Sequence, residues 1–339
     1  MDTSVIQQYT AKDFKSDQYV RWCPGCGDYA VLNTLQKVMA EMGVRPTDTT
    51  VISGIGCSSR LPYYISGYGF HTIHGRGAAV ATGVKIANPK LSVWQITGDG
   101  DCLAIGGNHF IHSVRRNIDI NVLLFNNQIY GLTKGQYSPT TKKGYVTKSS
   151  PFGTIERPFR PAELTFGARG TFFGRLLDVD LKSSFNVMLE AAKHKGTSVI
   201  ETLVNCIIFN DGAHSWLSEK SSRYDRLIIL EHGKPMIFGV NGDKGLVLDG
   251  FNIKVVTIGE NGISEGDLLI HDAKCEDTTL QMKLAMMEGP EFPVAIGVIR
   301  AFETESYDEA LINQIAEVQA TSKIKTFDDL IDSCEQWEM

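Results

Sequence analysis

Apolar residues along this chain fall into two alternating rhythms. Short unbroken runs such as Leu91-Ser92-Val93-Trp94-Gln95-Ile96-Thr97, set between Pro89 and Gly98, and Ile120 to Phe125 predict buried strands. Thr50–Ser53, Thr171–Leu176 and Ser198–Leu203 read the same way. Between these runs, apolar residues recur every three or four positions. Val31, Leu35, Val38, Met39 and Met42 fall on one face of a helix over Asp28–Met42, which Gly43 ends. Further helices are predicted over residues 77–87, 102–116, 162–168, 181–194 and 216–229. Strands alternating with helices predict an α/β fold, a doubly wound and mostly parallel sheet with helices on both faces. Beyond Glu231 the rhythm changes. Residues 240–260 alternate apolar and polar around Gly and Asn turns, and 308–320 and 326–334 read as helices. The expected organisation is therefore one domain over 1–230 and a C-terminal extension over 231–339, packed on the core or on a partner. Residues 1–20 read as a loose arm. Tyr137 to Pro161 has no periodicity and reads as a long functional or solvated loop, with Lys142, Lys143, Lys148, Arg157 and Arg160 on it and Lys134 just before.

At 339 residues with 42% hydrophobic and 21% charged content, the chain has the composition of a globular protein with a substantial core. A formal charge of −6 argues against nucleic acid as the main partner. The first residues carry no cationic segment followed by an apolar run, and no apolar stretch reaches the length of a membrane span, so a cytoplasmic location is expected. Seven cysteines, an odd number, speak against a disulfide framework and for metal or cluster ligation by some of them.

Two short motifs carry the strongest chemical signal. Gly98-Asp99-Gly100-Asp101 follows the strand at 91–97, and Asn126-Asn127-Gln128-Ile129-Tyr130-Gly131 follows the strand at 120–125. Both sit at strand C-termini of a β-α-β arrangement, where open parallel sheets bind ligands. A glycine-flanked carboxylate followed by an asparagine pair at this spacing is how thiamine diphosphate enzymes hold their cofactor. Asp99, the Asn127 side-chain oxygen and the Ile129 carbonyl supply hard oxygens for Mg²⁺, which completes its shell with phosphate and water. The glycines are expected to let the backbone approach the diphosphate.

Cys23-Pro24-Gly25-Cys26 is a C-x₂-C turn before a helix, while Cys57 and Cys206 each follow a predicted strand. All three segments can converge on the same rim. From the residues alone, four such thiolates suit tetrahedral zinc or an iron–sulfur cluster equally. Cys102, Cys275 and Cys334 read as ordinary free cysteines, and His109 and His112 as structural.

Together, Trp22-Cys23-Pro24-Gly25-Cys26-Gly27, Gly54-Ile55-Gly56-Cys57-Ser58, His71-Thr72-Ile73-His74-Gly75-Arg76 and the two motifs at 98–101 and 126–136 resemble the β subunit of 2-oxoacid:ferredoxin oxidoreductases, above all the 2-oxoglutarate type. The resemblance spans about residues 18–220 and implies a thiamine diphosphate-binding fold. It implies a 4Fe–4S cluster on Cys23, Cys26, Cys57 and Cys206, and Mg²⁺ at Asp99, Asn127 and Ile129. The implied cofactor contacts are Ile55, Gly56, Cys57, Ser58, His74, Gly98, Gly100, Asp101, Gly131, Leu132 and Thr133. His74 is an expected catalytic residue, against a plain capping role. Arg60, three residues after Cys57, is a second: a guanidinium there suits the extra carboxylate that separates 2-oxoglutarate from pyruvate. The carboxylate that thiamine enzymes need on the aminopyrimidine has no recognisable motif here. The resemblance assigns it to an α subunit that also helps to bind coenzyme A, with ferredoxin as electron acceptor. Rival readings are another 2-oxoacid as substrate, a non-redox thiamine decarboxylase or carboligase, and a zinc-binding non-catalytic subunit.

Overall fold

Strands that are covered on both faces cannot show polar alternation, which is why the central strands of this chain read as continuous apolar runs. The computed structural model describes residues 8–335. Its elements run α1 (Asp28–Glu41), β1 (Thr49–Ser53), β2 (Tyr68–His71), α2 (Gly77–Ala87), β3 (Ser92–Gly98), α3 (Gly107–Arg116), β4 (Asn121–Asn126), α4 (Pro161–Gly167), β5 (Phe172–Leu177), α5 (Leu181–Lys193) and β6 (Ser198–Leu203). Then follow α6 (Ser215–Ser218), α7 (Arg223–Arg226), β7 (Leu227–Leu230), β8 (Ile237–Phe238), β9 (Lys244–Asp249), β10 (Asn252–Thr257), α8 (Thr279–Met286), β11 (Val294–Ala301), α9 (Tyr307–Thr321) and α10 (Phe327–Asp332).

One sheet has the order β2-β1-β3-β4-β6-β5-β11-β7. From β2 to β5 every pairing is parallel, β11 runs antiparallel to β5, and β7 is parallel to β11. Successive residues alternate between two cores. Ile52, Val93, Val122, Leu124 and Val199 meet Ala81 of α2, Phe110 and Val114 of α3 and Phe166 of α4. Val51, Trp94, Ile96, Leu123 and Ile200 meet Val31, Leu35 and Val38 of α1 and Val187 and Met188 of α5. The doubly wound, mostly parallel sheet expected from the sequence is thus present. β2 closes one edge and leaves all four of its residues exposed.

Four expectations change. The helix expected over 216–229 is two single turns, α6 and α7, followed by β7, because Leu227-Ile228-Ile229-Leu230 pairs with β11. The helix expected at 102–116 opens with a π-turn over Asp101–Ile105 before α3 begins. The boundary expected at 231 does not divide the sheet: β11 lies between β5 and β7, and only β8, β9 and β10 form a separate antiparallel sheet. In the expected loose arm, residues 1–7 lie outside the described residues, and the rest is fastened. Phe14 is fully buried, Lys15 bridges Ile65, and the Phe14 carbonyl accepts from the Ser66 N–H. No helix among the described residues is long and apolar enough to cross a membrane.

Burial of imidazoles works against the folded state in acid: His214 and His271 are buried and His194 is half-buried. His194 caps α5 with Nε2 at 2.9 Å from the Thr171 hydroxyl, and burial pushes its pKa from 6.5 down to about 4. Burial lowers His214 and His271 in the same direction. The unfolded chain gains a proton near pH 6.5 that native His194 refuses until about pH 4. Its contribution is therefore complete above pH 6.5 and is lost as the pH falls towards 4. At pH 5 the loss is roughly 2 kcal/mol from His194 alone. Denaturant unfolding followed from pH 7 to pH 5 should show His194→Gln losing roughly 2 kcal/mol less stability than the unaltered chain. An equal loss in that variant would assign the acid sensitivity elsewhere.

Candidate functional site

Because β1, β2, β3, β4 and β6 are parallel, the loops that leave them gather at one rim of the sheet. These are residues 54–58, 72–76, 98–101, 126–136 and 204–210.

Asp101 organises the first half of the rim. Its Oδ1 accepts from His74 Nδ1 at 2.7 Å, the Gly75 N–H at 2.7 Å and the Ile55 N–H at 3.0 Å, and its Oδ2 accepts from the Thr97 hydroxyl at 2.7 Å. Three donors on one oxygen and one on the other make Asp101 the tie between the loops after β1, β2 and β3. The bond to a carboxylate keeps the hydrogen of His74 on Nδ1 and leaves Nε2 as a free acceptor. The His74 ring stands edge-on to Tyr130, with centroids 6.3 Å apart. Tyr130 packs on Gly100. A Cβ on Gly100 would lie 2.1 Å from the Tyr130 ring, and the Tyr130 hydroxyl donates to the Gly100 carbonyl.

Asp99 anchors the second half. It is buried, and its Oδ2 accepts from the hydroxyls of Ser138 and Thr140, both at 2.5 Å. Burial pushes its pKa up to about 6, against the pull of those two hydroxyls. Asn127 follows β4, two residues past Phe125, which pairs with Gly98 of β3, and its Oδ1 accepts from the Ile129 N–H at 3.1 Å. This turn is braced from behind. The Asn210 amide donates to the Asn127 carbonyl at 3.0 Å, His214 Nε2 lies 3.0 Å from the Asn126 carbonyl, and Thr141 donates to the Gln128 carbonyl at 2.6 Å. Gln128 itself holds a left-handed φ of 57°. A buried carboxylate ringed by neutral hydroxyls, next to an amide oxygen, is a donor set that fits Mg²⁺.

The four cysteines meet across three loops. Trp22 Nε1 donates to the Cys57 carbonyl at 2.7 Å, and the Gly27 N–H meets the Asn205 carbonyl at 3.3 Å, so the C-x₂-C turn touches both partner loops. Cys206 is an electrostatic neighbour of both Cys26 and Cys57, and Cys23 of Cys57. A Cβ placed on Gly131 would stand 3.5 Å from the sulfurs of Cys57 and Cys206 alike. Burial and then the neighbouring Asp28 carboxylate push the Cys57 thiol up to about 12 and shift Cys26 in the same direction. All seven cysteines are free thiols, and among the described residues no three His, Cys, Asp or Glu side chains are drawn together as a ready metal site. Four thiols on three adjoining loops are a donor set that fits zinc or an iron–sulfur cluster, either of which would hold them as thiolates.

Arg60 is exposed on the short helix after Cys57, and its Nε donates to the Tyr64 hydroxyl at 3.1 Å. Leu132 and Thr133 are exposed on the turn between Tyr130 and Gln136. Ser138, Thr140, Thr141, Asn210 and His214 escape a sequence reading, since isolated hydroxyls and amides in irregular segments have no period. Only the run Ser138-Pro139-Thr140-Thr141, in a loop already marked as functional, hinted at the first three. A cavity of about 540 Å³ opens beside Asn126 and Thr140, bordered by Lys142, Lys143, Arg160 and His214.

Comparison with known proteins agrees with this rim. Residues 54–202 match the family described as thiamine pyrophosphate enzyme, C-terminal TPP binding domain. The chain is 47% identical over 310 residues to 2-oxoglutarate oxidoreductase subunit KorB of Mycobacterium tuberculosis, across 91% of this chain and 82% of that protein. It is 44% identical over 198 residues to a 2-oxoacid:ferredoxin oxidoreductase β subunit of Aeropyrum pernix, across 58% of this chain and 62% of that one. Its structure is similar to a solved 2-oxoglutarate:ferredoxin oxidoreductase of Magnetococcus marinus, with 2-oxoglutarate, coenzyme A and succinyl-CoA bound, at a TM-score of 0.78, 29% identity and 98% coverage of both chains. On the identity and coverage of these relatives, and on the rim that carries the matching motifs, the chain belongs to the family of 2-oxoacid:ferredoxin oxidoreductase β subunits.

Proposed function

We propose that this chain is the β subunit of a cytoplasmic 2-oxoglutarate:ferredoxin oxidoreductase, which with its α subunit converts 2-oxoglutarate and coenzyme A to succinyl-CoA and CO₂ and passes two electrons to ferredoxin, or runs the reverse. The observation that carries the reading is the position of Gly131, on the turn that follows Asn127, where an added Cβ would stand 3.5 Å from the sulfurs of both Cys57 and Cys206. Cofactor loop and cysteine cluster are one structure. Bound thiamine diphosphate supplies a carbon nucleophile and an electron sink, and a bound 4Fe–4S cluster on Cys23, Cys26, Cys57 and Cys206 supplies the electron acceptor.

The chain's own residues do the rest. Asp99, Asn127 and the Ile129 carbonyl hold Mg²⁺, with Ser138 and Thr140 steadying the Asp99 carboxylate. Ile55, Gly56, Cys57, Ser58, Gly98, Gly100, Gly131, Leu132 and Thr133 line the cofactor. His74, its Nδ1 locked to Asp101, offers Nε2 to the substrate side. Arg60 keeps its guanidinium terminal nitrogens for a carboxylate. The carboxylate that activates the aminopyrimidine comes from the α subunit.

Anaerobically purified complex should contain four irons per β chain, and replacing any one of Cys23, Cys26, Cys57 or Cys206 by Ser should remove or degrade that cluster. Cys102→Ala should keep it. Near-stoichiometric zinc without iron would overturn the cluster assignment.

Asp99→Ala should weaken Mg²⁺–thiamine diphosphate binding by more than about 100-fold while circular dichroism stays native. Unchanged cofactor content would show that the rim is misread.

Arg60→Ala should lose roughly 10- to 150-fold more kcat/KM with 2-oxoglutarate than with pyruvate. Equal losses would mean that Arg60 reads the carboxylate both substrates share.

A further inference from the structure

A line of buried polar groups crosses the sheet behind the rim and ends on Asp99. Arg175 in β5 donates from its two terminal nitrogens to the carbonyls of Ala295 in β11 and Ala285 in α8, both at 3.1 Å. Its Nε donates to Glu201 Oε2 in β6 at 2.7 Å. Glu201 Oε1 accepts from the Asn126 amide nitrogen at 2.7 Å. The Asn126 amide oxygen lies 2.9 Å from the Thr140 hydroxyl, whose single hydrogen is shared between it and Asp99 Oδ2. Arg175, Glu201, Asn126, Thr140 and Asp99 are each less than 8% exposed.

A carboxylate only accepts, so Asn126 must turn its nitrogen to Glu201 and its oxygen to Thr140. The orientation of that amide is therefore set by Glu201. A reversed amide would set its oxygen against the Glu201 carboxylate and turn a donor instead of an acceptor toward the hydroxyl that bridges to Asp99. As a stability device the pair is a poor choice, because an apolar pair of similar volume does as well or better in a buried site. Its placement, one bond from each asparagine-turn and C-terminal contact, suits orientation.

We propose that Glu201, held by Arg175, is a positioning residue for the metal-binding rim: it fixes Asn126, which seats Thr140 on Asp99. The inference rests on the reading of Asp99 as a Mg²⁺ ligand. Nothing in the sequence singles out Glu201, which sits among apolar strand residues. Both of its oxygens are occupied within the chain, so it is not a catalytic group.

The test uses the assembled αβ complex and measures the dissociation constant of thiamine diphosphate at saturating Mg²⁺ by calorimetry, together with the melting temperature. A glutamine at 201 can satisfy Arg175 or Asn126 but not both. Glu201→Gln should weaken the cofactor by roughly 10- to 100-fold, as displaced supporting contacts of metal ligands do. Thr140→Val should act similarly, Thr140→Ser should stay within about 3-fold of wild type, and the Glu201→Gln/Thr140→Val double variant should be no worse than its weaker parent. A purely structural pair would lower the melting temperature and leave the dissociation constant of Glu201→Gln unchanged, whereas multiplied losses in the double variant would mean that Glu201 and Thr140 act independently. Either of those binding results overturns the proposal. Should Glu201→Gln fail to assemble, Asn126→Ala and Thr140→Val probe the same line from its outer end, and wild-type affinity in both overturns it. Asp99→Ala serves as the control: if it too binds normally, the reading of the rim has failed; if it alone is impaired, only the role of Glu201 has.

Discussion

The rim depends on one buried carboxylate. Asp101 collects hydrogen bonds from Ile55 on the loop after β1, from His74 and Gly75 on the loop after β2, and from Thr97 at the end of β3. Three loops that are far apart in sequence are thereby fixed to one another. Gly54 completes the joint, since a Cβ there would stand 1.9 Å from an Asp101 oxygen. Hydrogen bonds to an ionised acceptor are about twice as strong as neutral ones, so a single side chain suffices where several neutral contacts would be needed. Ile55 stands two residues from Cys57, and His74 carries the free imidazole nitrogen. The placement of both the sulfur loop and the imidazole follows from Asp101.

A second set of constraints ties the rim to the rest of the molecule. The turn at Asn126–Gln128 is braced by Asn210, His214 and Thr141, and Asn210 sits just past Cys206. Movement of the sulfur loop and movement of the metal-binding turn are therefore mechanically coupled. The Arg175–Glu201 pair extends that coupling to α8 and β11, elements that no motif connects to the site.

Much of this was legible in the sequence. The strands at 92–98, 121–126 and 198–203 announce themselves as apolar runs, and α1 by its helical stripe. The four cysteines and the Asp99 and Asn127 motifs stood out because cofactor chemistry calls for such residue types at such spacings, and their loops leave neighbouring strands of one sheet. What escaped has long-range causes. Leu227–Leu230 is apolar in either a helix or a strand, and only its pairing with β11, more than sixty residues on, decides the matter. The fastening of Phe14 onto Ser66 is a backbone event without a sequence signature. Asp101 was named through the resemblance as a cofactor contact; its bonds to three separate loops are long-range and leave no mark in the local sequence.

The open side of β2 has a practical consequence. All four of its residues are exposed, Tyr68 and Phe70 are more than half accessible, and the strand's outer backbone groups have no neighbouring strand. Such an edge is a template for adding another strand. An uncovered edge of this kind favours self-association, so β2 is where a β chain handled alone is most exposed to it.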